Sequence, residues 1–246
     1  MDQPDLSLSV VIPVYNEEDN LEPLFEELYP VLTQIGSAFE VICVDDASTD
    51  NSCAVLQKLK DKYPQLKIIQ HRMNCGESAA EAAGFANARG QWIVTMDADQ
   101  QNDPADIPAL LAASGNADAV CGVRRKREDD WIKRISSRIA NGFRNWVTGD
   151  AVADAGCTFR AIRKDALVEV PIFNGMHRFL PTLLRLQGFK VTEVPVNHRP
   201  RTRGESKYGI GNRMFRGLVD CCAILWFRRR CFPARRFSPQ KEAESL

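Results

Sequence analysis

The sequence contains no Cys-x-x-Cys pair, although it has eight cysteines, and no histidine stands at zinc-finger spacing from any of them. The thiols are scattered at 43, 53, 75, 121, 157, 221, 222 and 231. Disulfide scaffolds belong to much shorter secreted chains, so these read as reduced, mostly buried thiols of a cytoplasmic protein. No run reaches the roughly 18 apolar residues of a membrane span. The nearest, Leu218 to Phe227, is short and contains Asp220. The N-terminus lacks the basic and then apolar pattern of a signal peptide. Net charge is missing too: 32 Lys and Arg stand against 32 Asp and Glu. That balance argues against a protein that coats nucleic acid along its whole length. There is no internal repeat and no low-complexity linker.

What is present suits one large domain. Of 246 residues, 44% are apolar and 26% charged, enough to bury a core and stay in solution. The first half carries most of the acid, whereas the segment from Arg199 onward is rich in arginine. Leu8–Val14 is a continuous apolar run that predicts a buried strand. Apolar residues at 21, 24, 25, 28, 31, 32 and 35 share one face of a helix over Asn20–Ile35. Phe39–Val44 predicts a second strand ending in Asp45 and Asp46, and Asp50 can cap a helix running to about Tyr63. Leu66–Gln70, the alanine-rich Glu77–Ala88 and Trp92–Met96 predict a third strand, a helix and a fourth strand, closed by Asp97 and Asp99.

Strands that are apolar throughout belong to a parallel sheet covered on both faces, and alternation with helices makes a doubly wound α/β unit. Ligands of such sheets bind outside the carboxyl ends of the strands. Tyr15-Asn16-Glu17, Asp45-Asp46 and Asp97/Asp99 all fall there. In the second half, Trp131, Ile135, Ile139, Phe143 and Trp146 mark an amphipathic helix. Gly156–Ile162 predicts a strand, Met176–Leu186 a helix and Val191–Val196 a final strand. The expected organisation is one domain over 1–212 with an appendage over 213–246.

Asp97 and Asp99 end an extended segment, so their carboxylates project to one side. Two hard oxygen ligands can hold Mg²⁺ or Mn²⁺ while substrate phosphates fill other positions. Gln101 could add a third oxygen, directly or through water.

The series Val11-Ile-Pro-Val-Tyr-Asn-Glu-Glu18, Val44-Asp-Asp-Ala-Ser-Thr-Asp50, Asn74-Cys-Gly76 and Met96-Asp-Ala-Asp99 resembles glycosyltransferase family 2 in order and spacing. The resemblance implies a single GT-A type nucleotide-sugar-binding domain, an α/β fold with a mostly parallel sheet and an amphipathic C-terminal helix. It also implies that Pro13, Tyr15, Glu17 and Asp45 hold the base and ribose, and that Asp97 and Asp99 hold the metal of the diphosphate.

Family members that glycosylate a hydroxyl need a general base, because an alcohol is barely nucleophilic near neutral pH. They resemble one another in placing Glu-Asp before a helix leading to an Arg-x-x-x-Gly turn. Here that helix is present, but Met176-His-Arg-Phe179 before it holds no carboxylate. A phosphate monoester needs no base, since its second pKa near 6 leaves it largely dianionic at pH 7. Its site needs cations, and Arg124, Arg138, Arg178 and Arg201 supply them. The segment His198-Arg-Pro-Arg-Thr-Arg-Gly-Glu-Ser-Lys-Tyr208 resembles that of polyprenyl-phosphate sugar transferases, with Arg201, Gly204, Ser206 and Lys207 matching. The resemblance therefore implies inverting transfer of a hexose to a dolichyl or undecaprenyl phosphate, with mannose from GDP-mannose as the first candidate.

A polyprenyl phosphate lives in a bilayer. Phe215, Val219, Cys222 and Trp226 make an apolar stripe followed by five arginines between 228 and 236, which suits an in-plane helix on an anionic leaflet of the cytoplasmic face. A core helix with a basic tail is the alternative, and a separate integral-membrane partner is compatible with either. Two rival functions remain open here. One is transfer to a saccharide hydroxyl, with Asp154 as base; the other is a scaffold that binds nucleotide sugar without turnover. Asp154 before Gly156-Cys-Thr-Phe-Arg160 is expected to orient Arg160 or a turn, and His177 to be structural.

Overall fold

A computed structural model describes residues 7–125, 142, 145, 146, 148, 149, 152–168, 170–200 and 210–231, with backbone alone over 210–218. Of the residues predicted to mark an amphipathic helix, Trp131, Ile135, Ile139 and Phe143 lie outside the described residues, as do Arg138, Arg201, Ser206 and Lys207, whereas Trp146 is described, helical and exposed. The elements run β1 (Leu8–Val14), α1 (Glu18–Ile35), β2 (Phe39–Asp45), α2 (Ser52–Lys62), β3 (Leu66–Gln70), α3 (Glu77–Asn87) and β4 (Trp92–Thr95). A short 3-10 turn leads to α4 (Ile107–Ala112), followed by β5 (Ala119–Arg124), β6 (Arg160–Arg163), α5 (Lys164–Leu167), α6 (Met176–Leu186), β7 (Val191–Val196) and α7 (Ile210–Arg230).

The seven strands form one sheet in the order β3-β2-β1-β4-β6-β5-β7. β1 pairs in parallel with β2 and β4, and β5 with β7, whereas β6 runs antiparallel to both of its neighbours. The expected mostly parallel sheet is therefore mixed at one place, and that place is the strand predicted over Gly156–Ile162, which begins only at Arg160. β5 was missed because Ala119–Arg124 has a glycine and an arginine in a short run.

Alternate residues of β1 enter opposite layers, as a period of two requires. Val10, Ile12 and Val14 pack with Leu21, Leu24, Phe25 and Leu28 of α1, while Val11 packs with Ala80 of α3 on the other face. Gly84 permits that second contact: a Cβ there would stand 2.3 Å from Val11 Cγ1. A second core joins Ile162, Leu180, Leu183 and Leu184 with Cys221 and Ile224 of α7. Four of the eight cysteines are buried, and Cys75 and Cys222 are exposed, so the expectation of mostly buried thiols holds for half of them.

Candidate active site

The strand order reverses at β1, with β2 and β3 on one side and β4 on the other. A crevice opens outside the carboxyl ends of strands at such a point. Three loops rim it, and each holds one non-glycine residue in the left-handed region: Asn16 (φ 54), Ala47 (φ 58) and Gln100 (φ 61). Conformations of this kind cost on the order of 1–3 kcal/mol and persist where surrounding contacts over-determine them. Asn16 shows such contacts, since its Oδ1 accepts from Thr49 N at 2.7 Å and its own N–H donates to Ser48 Oγ.

Asp45 ends β2 fully buried. Its Oδ1 accepts from Ser48 N at 3.1 Å, whereas Oδ2 has no protein donor. A buried carboxylate oxygen without a donor costs free energy, and a base N–H or ribose hydroxyl would remove that cost. Tyr15 and Pro13 are partly exposed nearby in sequence, and Glu17 Oε2 accepts from Asn20 Nδ2 at 2.7 Å. Turn chemistry occupies one oxygen of Asp45 and the carboxylates of its neighbours. Asp50 accepts from Glu18 N and Ser52 N, while Asp46 accepts from Cys75 N and Gly76 N.

Asp97 and Asp99 follow β4 on the loop to the 3-10 turn. Asp97 Oδ2 accepts from Thr158 Oγ1 at 2.7 Å, and its N–H donates to Asn102 Oδ1 at 2.8 Å. Desolvation first, and then the charge of Asp99, push the Asp97 carboxyl up to about 6. Asp99 is buried, with Oδ1 accepting from Gln101 N at 3.1 Å. Two neighbouring carboxylates with hard oxygens fit a divalent cation shared with a diphosphate.

Gln101 has a further task. Its Nε2 donates to the Arg199 carbonyl at 3.3 Å and lies 3.5 Å from His198 Nε2. Arg199 N donates back to Gln101 O at 2.9 Å, and Asn102 and His198 form an isolated antiparallel bridge. The Asp97–Asp99 loop is thereby stapled to the chain that enters the basic segment beginning at Arg201. Arg199 itself is paired with Glu27 and Asp103, so it is a clamp and not a solvated loop arginine.

Beneath Asp97 lies a buried polar group that sequence reasoning missed. Arg160 of β6 stands in register with Thr95 of β4 and Cys121 of β5, fully buried. Its Nη1 donates to the His177 carbonyl at 2.8 Å, while Nε and Nη2 have no protein acceptor. Glu81 of α3 is buried with Oε2 unpaired; burial above all pushes its carboxyl up to about 8, against the pull of Arg160. The one available signal was a charged residue inside the apolar run Phe159-Arg160-Ala161-Ile162. Glu81, amid alanines, reads as solvated until α3 is laid on the sheet.

The remaining candidates divide. Arg124 Nε and Nη2 donate to the two oxygens of Asp154 at 2.7 and 2.8 Å, and Cys157 N donates to the Asp154 carbonyl at 3.2 Å. Of the expected roles, orienting Arg160 or a turn, the turn is present and the oriented arginine is Arg124. His177 Nδ1 lies 2.8 Å from Ser78 Oγ, which also accepts from Gly175 N, joining the starts of α3 and α6. Arg178 is partly exposed beside it and donates from Nε to His177 Nε2 at 3.3 Å.

The profile of glycosyl transferase family 2 matches residues 9–170. An undecaprenyl-phosphate 4-deoxy-4-formamido-L-arabinose transferase of Edwardsiella ictaluri is 36% identical over 220 residues, covering 87% of this chain and 67% of that protein. A dodecaprenyl-phosphate galacturonate synthase of Rhizobium johnstonii is 35% identical over 230 residues, 91% of this chain and 68% of that one. Among solved structures, glucosyl-3-phosphoglycerate synthase from Mycobacterium tuberculosis, with Mn²⁺, uridine diphosphate and glucosyl-3-phosphoglycerate, aligns with TM-score 0.65 at 17% identity, covering 91% and 80% of the two chains. A mannosyltransferase from Pyrobaculum calidifontis with GDP-Man and Mn²⁺ aligns with TM-score 0.63 at 21% identity, covering 94% and 67%. These two likenesses establish the fold, of the GT-A type.

Proposed function

The chain belongs to glycosyl transferase family 2 and is a glycosyltransferase, and from that premise we propose that it moves a sugar from a nucleotide diphosphate sugar to a polyprenyl phosphate. One observation carries this reading. The bridge between Asn102 and His198 puts the Asp97–Asp99 loop against the chain that leads into the Arg201–Tyr208 segment. Donor diphosphate and acceptor phosphate would thus be served by loops bonded to each other. The names of the two relatives, each a polyprenyl-phosphate sugar transferase, favour the same acceptor.

In this proposal Asp45 receives the base or ribose with its unpaired oxygen, beside Pro13, Tyr15 and Glu17. Asp97 and Asp99 hold Mg²⁺ or Mn²⁺, which when bound neutralises charge building on the departing diphosphate. Arg124, Arg178 and, from the resemblance, Arg138, Arg201, Ser206 and Lys207 hold the acceptor phosphate. One of its oxygens attacks the anomeric carbon as the bond to the nucleoside diphosphate breaks, and that group leaves with the electron pair. The relatives' named sugars are a formamido-arabinose and galacturonate, so mannose draws no support from them. The donor class proposed is a nucleotide diphosphate sugar without commitment to the sugar.

The acceptor must be met at a surface, and α7 is shaped for one. Cys221 and Ile224 are buried against the core of α6, while Val219, Cys222 and Trp226 face outward, with Arg228–Arg230 exposed beyond them. Trp226 is 64% exposed. These three belong to the apolar stripe expected from the sequence, whose fourth member, Phe215, has its side chain outside the described residues, and the helix's other face is core. No helix among the described residues is long and apolar enough to cross a membrane.

The test is a panel of radiolabelled donors presented with polyprenyl phosphate in anionic vesicles. Label should enter an organic-soluble, acid-labile product only with polyprenyl phosphate present, and Trp226→Glu should lower both vesicle sedimentation and transfer without loss of fold. Transfer to a soluble saccharide with none to the lipid would overturn the proposal.

A further inference from the structure

Away from Asp97 and Asp99, three metal-ligating side chains stand together among the described residues. The carboxylate of Asp46, the imidazole of His71 and the thiol of Cys75 lie within 4.8 Å of one another. Two pieces of chain supply them: Asp46 follows β2, while His71 and Cys75 share the loop between β3 and α3, at a His-x-x-x-Cys spacing that sequence reasoning from zinc-finger patterns passed over. We propose that these three side chains form a second cation site, taking a thiophilic divalent ion of the Zn²⁺ class and distinct from the hard-oxygen pair Asp97 and Asp99.

The spacing supports one ion. Bonds of about 2.0–2.3 Å in tetrahedral geometry set ligand atoms about 3.3–3.7 Å apart. His71 Nδ1 and Asp46 Oδ1 are now 2.7 Å apart, and the widest pair is at most 4.8 Å. The closest pair must open by about half an ångström and the widest close by about one. The backbone needs no change to allow it. Cys75 N and Gly76 N donate to the two oxygens of Asp46 at 2.9 and 2.7 Å, and His71 N donates to Asp45 O at 2.9 Å. What must move is the Cys75 thiol, which is exposed and held only by a 3.4 Å contact to Met73 O.

The donor set selects the ion. Thiolate and imidazole favour Zn²⁺ or Co²⁺ over Mg²⁺, which prefers oxygen alone. On binding, Nδ1 of His71 coordinates with its proton on Nε2, and the Cys75 thiol proton passes to buffer. Three protein ligands leave a fourth position for water. An ion here fixes the loop 71–76 one residue from Asp45.

Cobalt is the direct probe, because a thiolate bound to Co²⁺ produces a charge-transfer band in the near ultraviolet. The reduced, intact chain is titrated with Co²⁺ in excess Mg²⁺. One equivalent should raise the band, and Zn²⁺ should abolish it. Cys75→Ser, at an exposed position, should fold and lack the band. His71→Ala should weaken Co²⁺ binding by roughly 10–100-fold or more, since even outer partners of a ligand contribute that much. Asp99→Asn should leave the band unchanged, which separates this site from the donor's metal and from the proposed transfer reaction. No band in the native chain at one equivalent of Co²⁺, or a band that survives in Cys75→Ser, would sink the proposal.

Discussion

The two sides of the sheet's carboxyl edge carry opposite charge and are prepared in opposite ways. On the side of β1, β2 and β4, carboxylates stand in excess: Asp45 keeps an unpaired buried oxygen, and Asp97 is driven up by desolvation and by Asp99. On the side of β5, β6 and β7, three described arginines each have at least one protein partner, although Nε and Nη2 of Arg160 have none. Arg124 is forked onto Asp154, Arg199 is paired with Glu27 and Asp103, and Arg160 donates to the His177 carbonyl. The acidic side is therefore short of positive charge until a cation and ligand arrive, whereas Arg124 and Arg199 on the basic side are already compensated by carboxylates. A buried charge without a partner marks a ligand site by the cost it carries, whereas the proposed phosphate contact of the already paired Arg124 rests on the resemblance.

The sharpest way to break the comparison is on the acidic side. Asp99→Asn should lower transfer on the order of 1000-fold, several kcal/mol of lost charge stabilisation, with circular dichroism unchanged. Full activity of the native enzyme in excess chelator would contradict it. Next comes the buried arginine. Arg160→Met strips a buried charge from beneath Asp97 and leaves the His177 carbonyl unpaired, so urea denaturation should show a loss of about 3–5 kcal/mol, partly recovered by Arg160→Lys. Unchanged stability would mean that Asp97 and Glu81 need no counter-charge.

Glu81 gives a smaller, pH-dependent effect. Its folded carboxyl is raised to about 8 from an ordinary 4.5, with Arg160, Glu77 and Asp97 the charged groups around it. Between those values the unfolded chain releases this proton and the folded chain keeps it, so native stability falls as pH rises through the window. Glu81→Gln lacks that decline. The variant should match the native chain below about pH 4.5 and pull ahead toward pH 8 by at most roughly 1.4 kcal/mol per unit. Parallel stability curves would show that Glu81 is ionised in the fold. Smallest is the Arg124–Asp154 fork. Arg124→Ala and Asp154→Asn should each lower transfer about tenfold, and the double variant no further, a coupling of about 1.4 kcal/mol. A base at Asp154 would instead cost roughly 100–10,000-fold, and would do so in the Arg124→Ala background as well.

Element boundaries were legible where a short apolar run or a helical period stands out from its flanks, as in β1, β2 and β4. Leu8–Val14, Leu66–Gln70, Met176–Leu186 and Val191–Val196 are observed as expected, and Phe39–Asp45 and Trp92–Thr95 differ by one residue. α1 starts two residues before the expected Asn20, since Asp50 and Ser52 from the next loop accept from Glu18 N and Glu17 N. No local pattern reports a cap supplied from over 30 residues away. β5 and the direction of β6 were hidden for the same reason: short strands with a glycine or an arginine carry little periodicity, and their pairing is decided by neighbours.

The sequence by itself determined the alternation of strand and helix, the acidic clusters at the strand ends, the family, and the apolar stripe of α7, because these depend on local period and on motifs a few residues long. Tertiary structure alone decided which charges are compensated. Asp154 meets Arg124 across 30 residues, Gln101 meets Arg199 across 98, and Glu81 loses its water only when α3 packs onto β1 and β2. The physical reason is that desolvation and ion pairing depend on what lies beside a group in space, and a chain that folds a sheet in the order β3-β2-β1-β4-β6-β5-β7 brings together residues that its sequence keeps far apart.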